Sequence, residues 1–192
     1  SFVETSEHLF TAAEEAQAAE MARASAPSSG AARTLTLDAM AAGRDLALTG
    51  SARAFRKSAW MPFGALNADC PTEDTPSVLR FLTQGPGRAL PQICVLRRMH
   101  EMNLSGPRLL PKMSLEAILA QYEVDIDKAL ETGALERADA DRLRSWARRT
   151  IKRRMALAAF HYGAGNIAQR ALRMLGSQHL SAAEKRDLLW RK

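Results

Sequence analysis

Glu73 and Asp74 stand side by side in Thr72-Glu73-Asp74-Thr75-Pro76. A carboxylate held beside a substrate hydroxyl can take its proton as that oxygen attacks an electrophilic carbon. An acid at a helix start suits this task, because its backbone is fixed while its side chain faces a cleft. The same five residues also make an ordinary helix N-terminus, with a cap, early acids against the macrodipole and an early Pro. His100 is the second candidate, in Arg98-Met99-His100-Glu101-Met102-Asn103. A neutral imidazole can ligate a divalent metal or contact a departing diphosphate, and it can equally be an ordinary surface or core residue. His8, His161 and His179 show no metal-ligand spacing with one another.

Other groups carry less. Asp125-Ile126-Asp127 and Asp139-Ala140-Asp141 have the Asp-x-Asp form that binds metal-diphosphate, but both lie in helical stretches and read as solvated helix faces. Gly163-Ala164-Gly165-Asn166 follows no strand, so it reads as a helix break and not as a dinucleotide loop. Cys70 and Cys94 form neither a metal pair nor a disulfide framework. Reduced thiols in a cytosolic protein fit them best.

The elements that must position these residues follow from periodicity. Phe2-Val3 and Leu9-Phe10 suit short strands or a lead-in, and helix begins near Thr11. Ser25 to Gly30 reads as a flexible loop. Thr36 to Gly43 predicts a short helix ended by glycine. Leu46 to Gly50 suits a strand. Ser58 to Gly64 predicts a brief helix stopped by Pro62 and Gly64, and Asn67 to Pro71 a loop. Val78, Leu79 and Leu82 predict a helix from Thr75 that ends before Gly85-Pro86-Gly87. Ile93 to Leu96 is a short apolar run, read as a buried strand. Beyond Pro111 the chain is wholly helical. Leu115, Ile118, Leu119, Tyr122, Ile126 and Leu130 share a face, with Ser114 as N-cap. A second helix runs through Leu143, Trp146, Ala147, Ile151 and Met155. A third holds Ile167, Ala171, Leu172 and Leu175 and ends at Gly176. Ser181 to Glu184 has capping-box spacing and starts a fourth.

Composition bounds the partners. The formal charge is +6 over 192 residues, unevenly spread. Residues 1–50 carry three Lys/Arg and seven Asp/Glu; residues 141–192 carry thirteen and three. A basic tail suits an anionic partner or a solvated helix face. No apolar run approaches the ~20 residues of a membrane span, and no signal peptide is visible. The chain begins at Ser1 without Met, as an excised or truncated piece would, and is expected to be either part of a larger protein or a degenerate relative without activity of its own.

Several short motifs occur in a fixed order: Thr49-Gly50-Ser51-Ala52-Arg53-Ala54-Phe55-Arg56-Lys57, Phe63-Gly64-Ala65-Leu66, Thr72-Glu73-Asp74, Leu79-Arg80, Gly85, Leu90-Pro91, and Arg98-x-His100-x-x-Asn103-x-Ser105. From about Leu46 to Ser105 this resembles the second, acceptor-side half of family 2 glycosyltransferases of GT-A fold. The resemblance implies inverting transfer from a nucleotide-activated sugar to a glycan or lipid-linked hydroxyl. Asp74 matches its catalytic-base position, with Glu73 beside it. His100 matches a position that contacts metal or diphosphate, with Arg98 and Asn103 as its supports. Phe55, Arg56 and Trp60 are candidates to line the acceptor cleft, with core packing the competing role for Phe55 and Trp60. Arg97 departs from the family, which often has Tyr there. The family's nucleotide-binding half, with its strand-ending Asp-x-Asp, has no counterpart in residues 1–45.

The expected architecture is therefore α/β. A helical segment and linker (1–45) precede a partial GT-A-like segment with few short strands (46–110), and a mainly α-helical C-terminal region (111–192) follows. The resemblance implies a Mn or Mg cation in the complete enzyme, with none bound by this chain alone. It also implies bacterial cell-envelope polysaccharide synthesis in the cytoplasm, at the inner face of the membrane. Nucleic acid is not expected as a partner. Arg148, Arg149, Lys152, Arg153 and Arg154, beside Trp146, Ile151 and Met155, suit a helix lying on an anionic membrane. The alternative is a non-enzymatic helical module that binds an anionic surface or a protein partner through its basic helices.

Overall fold

The structure is a computed structural model that describes residues 2–10, 14, 17, 20, 31–43, 52–98 and 113–190. The fold is mixed α/β and mostly helical. A four-stranded sheet is built from β1 (Phe2–Phe10), β2 (Arg33–Leu35), β3 (Arg53–Phe55) and β4 (Gly87–Arg98), in the order β2-β4-β1-β3. β1 runs parallel to β4, from Val3 opposite Arg88 to Phe10 opposite Arg98, with register shifts around Ser6. β3 pairs antiparallel with β1, and β2 antiparallel with β4. Residues 2–10 thus belong to the same sheet as the motif-bearing segment. β4 is 12 residues long, far longer than the apolar run Ile93 to Leu96. It is not the buried strand expected: Cys94 is exposed and Val95 and Leu96 are half-buried.

Short helices link the strands. α1 (Leu37–Ala41) is capped by Thr36, whose hydroxyl accepts from Ala39 N–H at 3.1 Å. α2 (Lys57–Trp60) runs directly into a 3-10 turn, Met61–Phe63, that carries Pro62 near its start. Pro62 therefore does not stop the helix; it sits where a first-turn N–H has no partner to lose. Gly64 ends the turn at φ +68°, a conformation that glycine adopts without strain. α3 spans Asp74–Thr83.

The helical region is built as its periodicity dictates. α4 (Leu115–Glu131) is capped by Ser114, which accepts from Ala117 N–H at 3.1 Å. α5 is Arg137–Tyr162, α6 Ile167–Gly176 and α7 Ala182–Trp190. Ile118, Tyr122, Ile126 and Ala129 on α4 are buried against Ala140, Leu143, Ala147 and Ile151 on α5. The spacings of three and four place each set on one helix face. Phe63, Val78, Leu79, Phe81 and Leu82 join the same core from the other side, so the motif segment and the first helical hairpin are one packed body. Each fully buried Leu, Ile or Phe contributes roughly 1.5–3 kcal/mol. A smaller cluster of Phe160, Met174 and Leu180 holds α6 and α7 to the end of α5.

The helix expected from Thr11, the loop Ser25 to Gly30 and the strand Leu46 to Gly50 lie wholly or mostly outside the described residues. Among the described residues, no helix is long and apolar enough to cross a membrane.

Candidate functional site

The two carboxylates stand at the head of α3. Glu73 occupies the cap position with a helical backbone and no side-chain cap bond. Thr72 supplies the local bond instead, its hydroxyl accepting from Asp74 N–H at 3.3 Å. Arg53 on β3 fastens this turn: its Nη1 donates to the Asp74 carbonyl at 3.0 Å and to Ser77 Oγ at 2.6 Å. Ser77 Oγ donates to the same Asp74 carbonyl at 2.9 Å. From the other side the Tyr122 hydroxyl donates to the Thr75 carbonyl at 3.3 Å. Burial pushes that phenol well above its usual range, so it remains a donor. Four side chains from β3, α3, α4 and the preceding loop thus hold the backbone that carries Asp74.

The electrostatics suit a proton acceptor. Asp74 is half-buried and Glu73 exposed. Burial pushes the Asp74 carboxyl above the usual carboxylate range, and the adjacent Glu73 charge pushes the same way. Arg53 pulls it down, as does Arg97, while a hydrogen bond shared with the Glu73 side chain again raises it. A raised carboxylate is a stronger base nearer neutral pH. Arg97, the position that departs from the family pattern, lies within the field of Asp74.

Two of the acceptor-lining candidates, Phe55 and Trp60, stack with Phe81 of α3. Arg53 and Phe55 alternate onto one face of β3. Arg53 reaches the head of α3, while Phe55 stacks on Phe81 of the same helix at 4.4 Å and on Trp60 at 6.0 Å. Phe55 as a residue is 49% exposed, so part of it is open to a ligand. Trp60 packs partly into the core and Arg56 is exposed. Arg98 is exposed at the end of β4, whereas His100 and Asn103 lie outside the described residues.

Sequence reasoning missed the most buried polar cluster. Arg80 and Asp125 are both fully buried and form a bidentate pair, Nε to Oδ2 and Nη2 to Oδ1, each 2.8 Å. Asp125 also accepts from Gln121 Nε2 at 2.8 Å, and Gln121 Oε1 accepts from Asn67 N–H at 2.7 Å. Arg80 donates its remaining Nη1 to the Gly64 carbonyl at 2.8 Å, with its guanidinium 4.5 Å over the Trp60 ring. Asp125 is thus not a solvated helix-face residue. Burial pushes its carboxyl up against the pull of Arg80 and Gln121. The signal was present: Asp125 follows Ile118 by seven and Tyr122 by three, on the apolar stripe of α4. Its neighbour Asp127 is exposed and pairs with Arg144 at 2.5 Å, as a helix-face residue should. Asp139 and Asp141 are likewise tied to Arg142 and Arg144 at the surface.

The basic helix α5 needs a correction too. Ile151 is buried, and Trp146 and Met155 pack partly into the core, so its apolar face is not available to a membrane. Arg148 pairs with Glu123 and Arg153 with Glu184. Among the described residues no group of three or more His, Cys, Asp or Glu could hold a metal ion. Glu73 and Asp74 alone do not make such a set. No protein-family model, curated protein or solved structure matches this chain.

Proposed function

We propose that this chain is the acceptor-side portion of an inverting glycosyltransferase that moves a sugar from a nucleotide-sugar donor to a glycan or lipid-linked hydroxyl. The reading rests on the ordered motifs from Thr49 to Ser105. The observation that carries it is the state of Asp74: a half-buried carboxylate with a raised affinity for protons, on a turn fixed by Arg53, Ser77, Thr72 and Tyr122. In the reaction, Asp74 accepts the proton of the acceptor hydroxyl. That oxygen bonds to the anomeric carbon on the face opposite the nucleoside diphosphate, which departs with the electron pair of the broken bond. Phe55 offers a stacking face for the acceptor, and Arg56 a hydrogen-bond donor beside it. Arg80 and Asp125 act through the scaffold, locking α3 to α4 and to the loop that carries Gly64 and Asn67. On this reading the chain supplies the acceptor side, and the donor nucleotide and the divalent cation that the resemblance implies would be held by the family's nucleotide-binding half.

The test is transfer by the complete enzyme from a panel of nucleotide sugars. Asp74→Asn keeps the shape but cannot take the proton. It should lower kcat by roughly 10²–10⁴-fold, the usual worth of a general base, while donor affinity stays nearly constant. Glu73→Gln should lose far less. Near wild-type turnover in both variants would contradict the transferase reading.

A further inference from the structure

The head of α3 holds a cation where a helix ordinarily disfavours one. The first turn of a helix carries a partial positive charge, which favours Asp and Glu there and not Arg or Lys. Arg53 nevertheless reaches this turn from β3. Its Nη1 donates to the Asp74 carbonyl at 3.0 Å and to Ser77 Oγ at 2.6 Å. Ser77 is buried, and its hydroxyl closes a small ring by donating to the same carbonyl at 2.9 Å. It accepts on one side and donates on the other, so its hydrogen-bonding capacity is met inside the turn. Fastening the turn does not by itself call for a guanidinium: a neutral donor could bond the carbonyl without bringing charge to the positive end of α3. What the charge adds is attraction to Glu73 and Asp74, adjacent acids that repel each other when both are ionised.

The groups facing Asp74 come from each element packed around it. Burial and the Glu73 charge raise its hold on a proton; Arg53 from β3 and, less strongly, Arg97 from β4 lower it. From α4 the Tyr122 hydroxyl, held neutral by burial, bonds the Thr75 carbonyl. Arg53 is thus the stronger of the two cations and is bonded to the turn itself. We infer that Arg53 is the positioning residue of the acid pair: it fixes the Asp74 backbone through the carbonyl and Ser77, and sets a positive charge against the acids so that Asp74 stands ready to accept a proton with Glu73 charged beside it. β3 also carries Phe55, two residues on and about 7 Å along the same face. One short strand therefore sets the span between the stacking face and the base. This inference rests on the role proposed above for Asp74, and the titration below keeps the two apart.

The test follows the Asp74 side-chain carboxyl carbon by NMR titration of this chain, with Asp74→Asn marking its resonance. Arg53→Met keeps the apolar stem and removes the charge. Its Asp74 midpoint should lie above that of the wild type, because the carboxylate loses an opposite charge. Arg53→Lys keeps a charge but not the planar fork, and its midpoint should rise less. Circular dichroism checks that each variant is folded, and Arg53→Lys carries the comparison if Arg53→Met loses its helices. A midpoint that stays in place in Arg53→Met, or in Arg53→Lys where only that variant folds, overturns the inference. In the complete enzyme Arg53→Lys should lower kcat by up to about 10²-fold, the cost of a misplacement of about 1 Å, with KM little changed. A loss confined to KM would place Arg53 on the substrate and overturn its assignment as a positioning residue. The titration needs no substrate. Near wild-type turnover in Asp74→Asn would therefore sink the transferase reading while a shifted midpoint still showed the coupling of Arg53 to Asp74.

Discussion

Replacing Asp125 by Asn should be among the most damaging single changes in this protein, although Asp127, two residues on, should tolerate the same change. Asp125→Asn removes the negative charge from a fully buried Arg80 and leaves a guanidinium facing an amide. Breaking a buried pair by removing one partner costs about 3–5 kcal/mol, a large share of the roughly 5–15 kcal/mol that holds a domain folded. Asp127→Asn breaks an ion pair whose carboxylate is 58% exposed, worth about 0–1 kcal/mol. Denaturant unfolding, followed by circular dichroism with slopes compared, measures both. Arg80→Met with Asp125→Leu should recover part of the loss, because an apolar pair needs no desolvated charge. Recovery should be incomplete: the Gly64 carbonyl and the Gln121 amide lose buried partners, each worth about 1–3 kcal/mol. If Asp125→Asn and Asp127→Asn fall within about 1 kcal/mol of each other, the buried network does not hold α3 to α4, and the assignment of Arg80 as a positioning residue fails.

Asp74→Asn should raise the melting temperature slightly at pH 7. A carboxylate whose folded pKa lies above its unfolded value opposes folding once it is ionised. That penalty is present above the folded pKa and disappears as pH falls below the unfolded value, so wild type and variant should converge in acid. Isothermal titration of this chain with nucleotide sugars and Mn²⁺ should give no binding tighter than about millimolar, the few kcal/mol of stray contacts; micromolar binding would mean that a donor site lies within it. Asn166→Ala removes the capping box of α6 and should cost about 1 kcal/mol, seen as earlier loss of helix on heating.

The helical region was legible because its signals are local. Ser114, the Gly163 break and the Ser181–Glu184 box each act within one turn, and all stand where their residue types place them. α3 was legible for the same reason, with Val78, Leu79 and Leu82 buried as their spacing requires. Long-range pairing was not legible. β4 extends well beyond its apolar core because β1 and β2 supply backbone partners from distant parts of the chain, and a flanking run such as Arg97-Arg98 carries no strand pattern of its own. Arg80 and Asp125 are separated by 45 residues, so neither reveals its partner, and an Asp-x-Asp spelling drew the eye to surface chemistry. The apolar spacing of Ile167, Ala171, Leu172 and Leu175 marks a helix, and the structure has one, with Leu172 and Leu175 nevertheless exposed. Periodicity reports that a face is apolar; only the packing of Met174 and Ala171 reports which residues are covered.

The role of Asp74 is tested most directly by the pH dependence of kcat/KM in the complete enzyme. Wild type should show an acidic limb, activity rising with pH through a pKa above the ordinary carboxylate range, because burial and then the Glu73 charge hold the Asp74 proton. Glu73→Gln removes that neighbouring charge and should shift the limb to lower pH while turnover persists. Asp74→Asn should abolish the limb together with most of the rate. A limb that stays in place in Glu73→Gln, or an Asp74→Asn enzyme that keeps wild-type turnover, would contradict Asp74 as the proton acceptor.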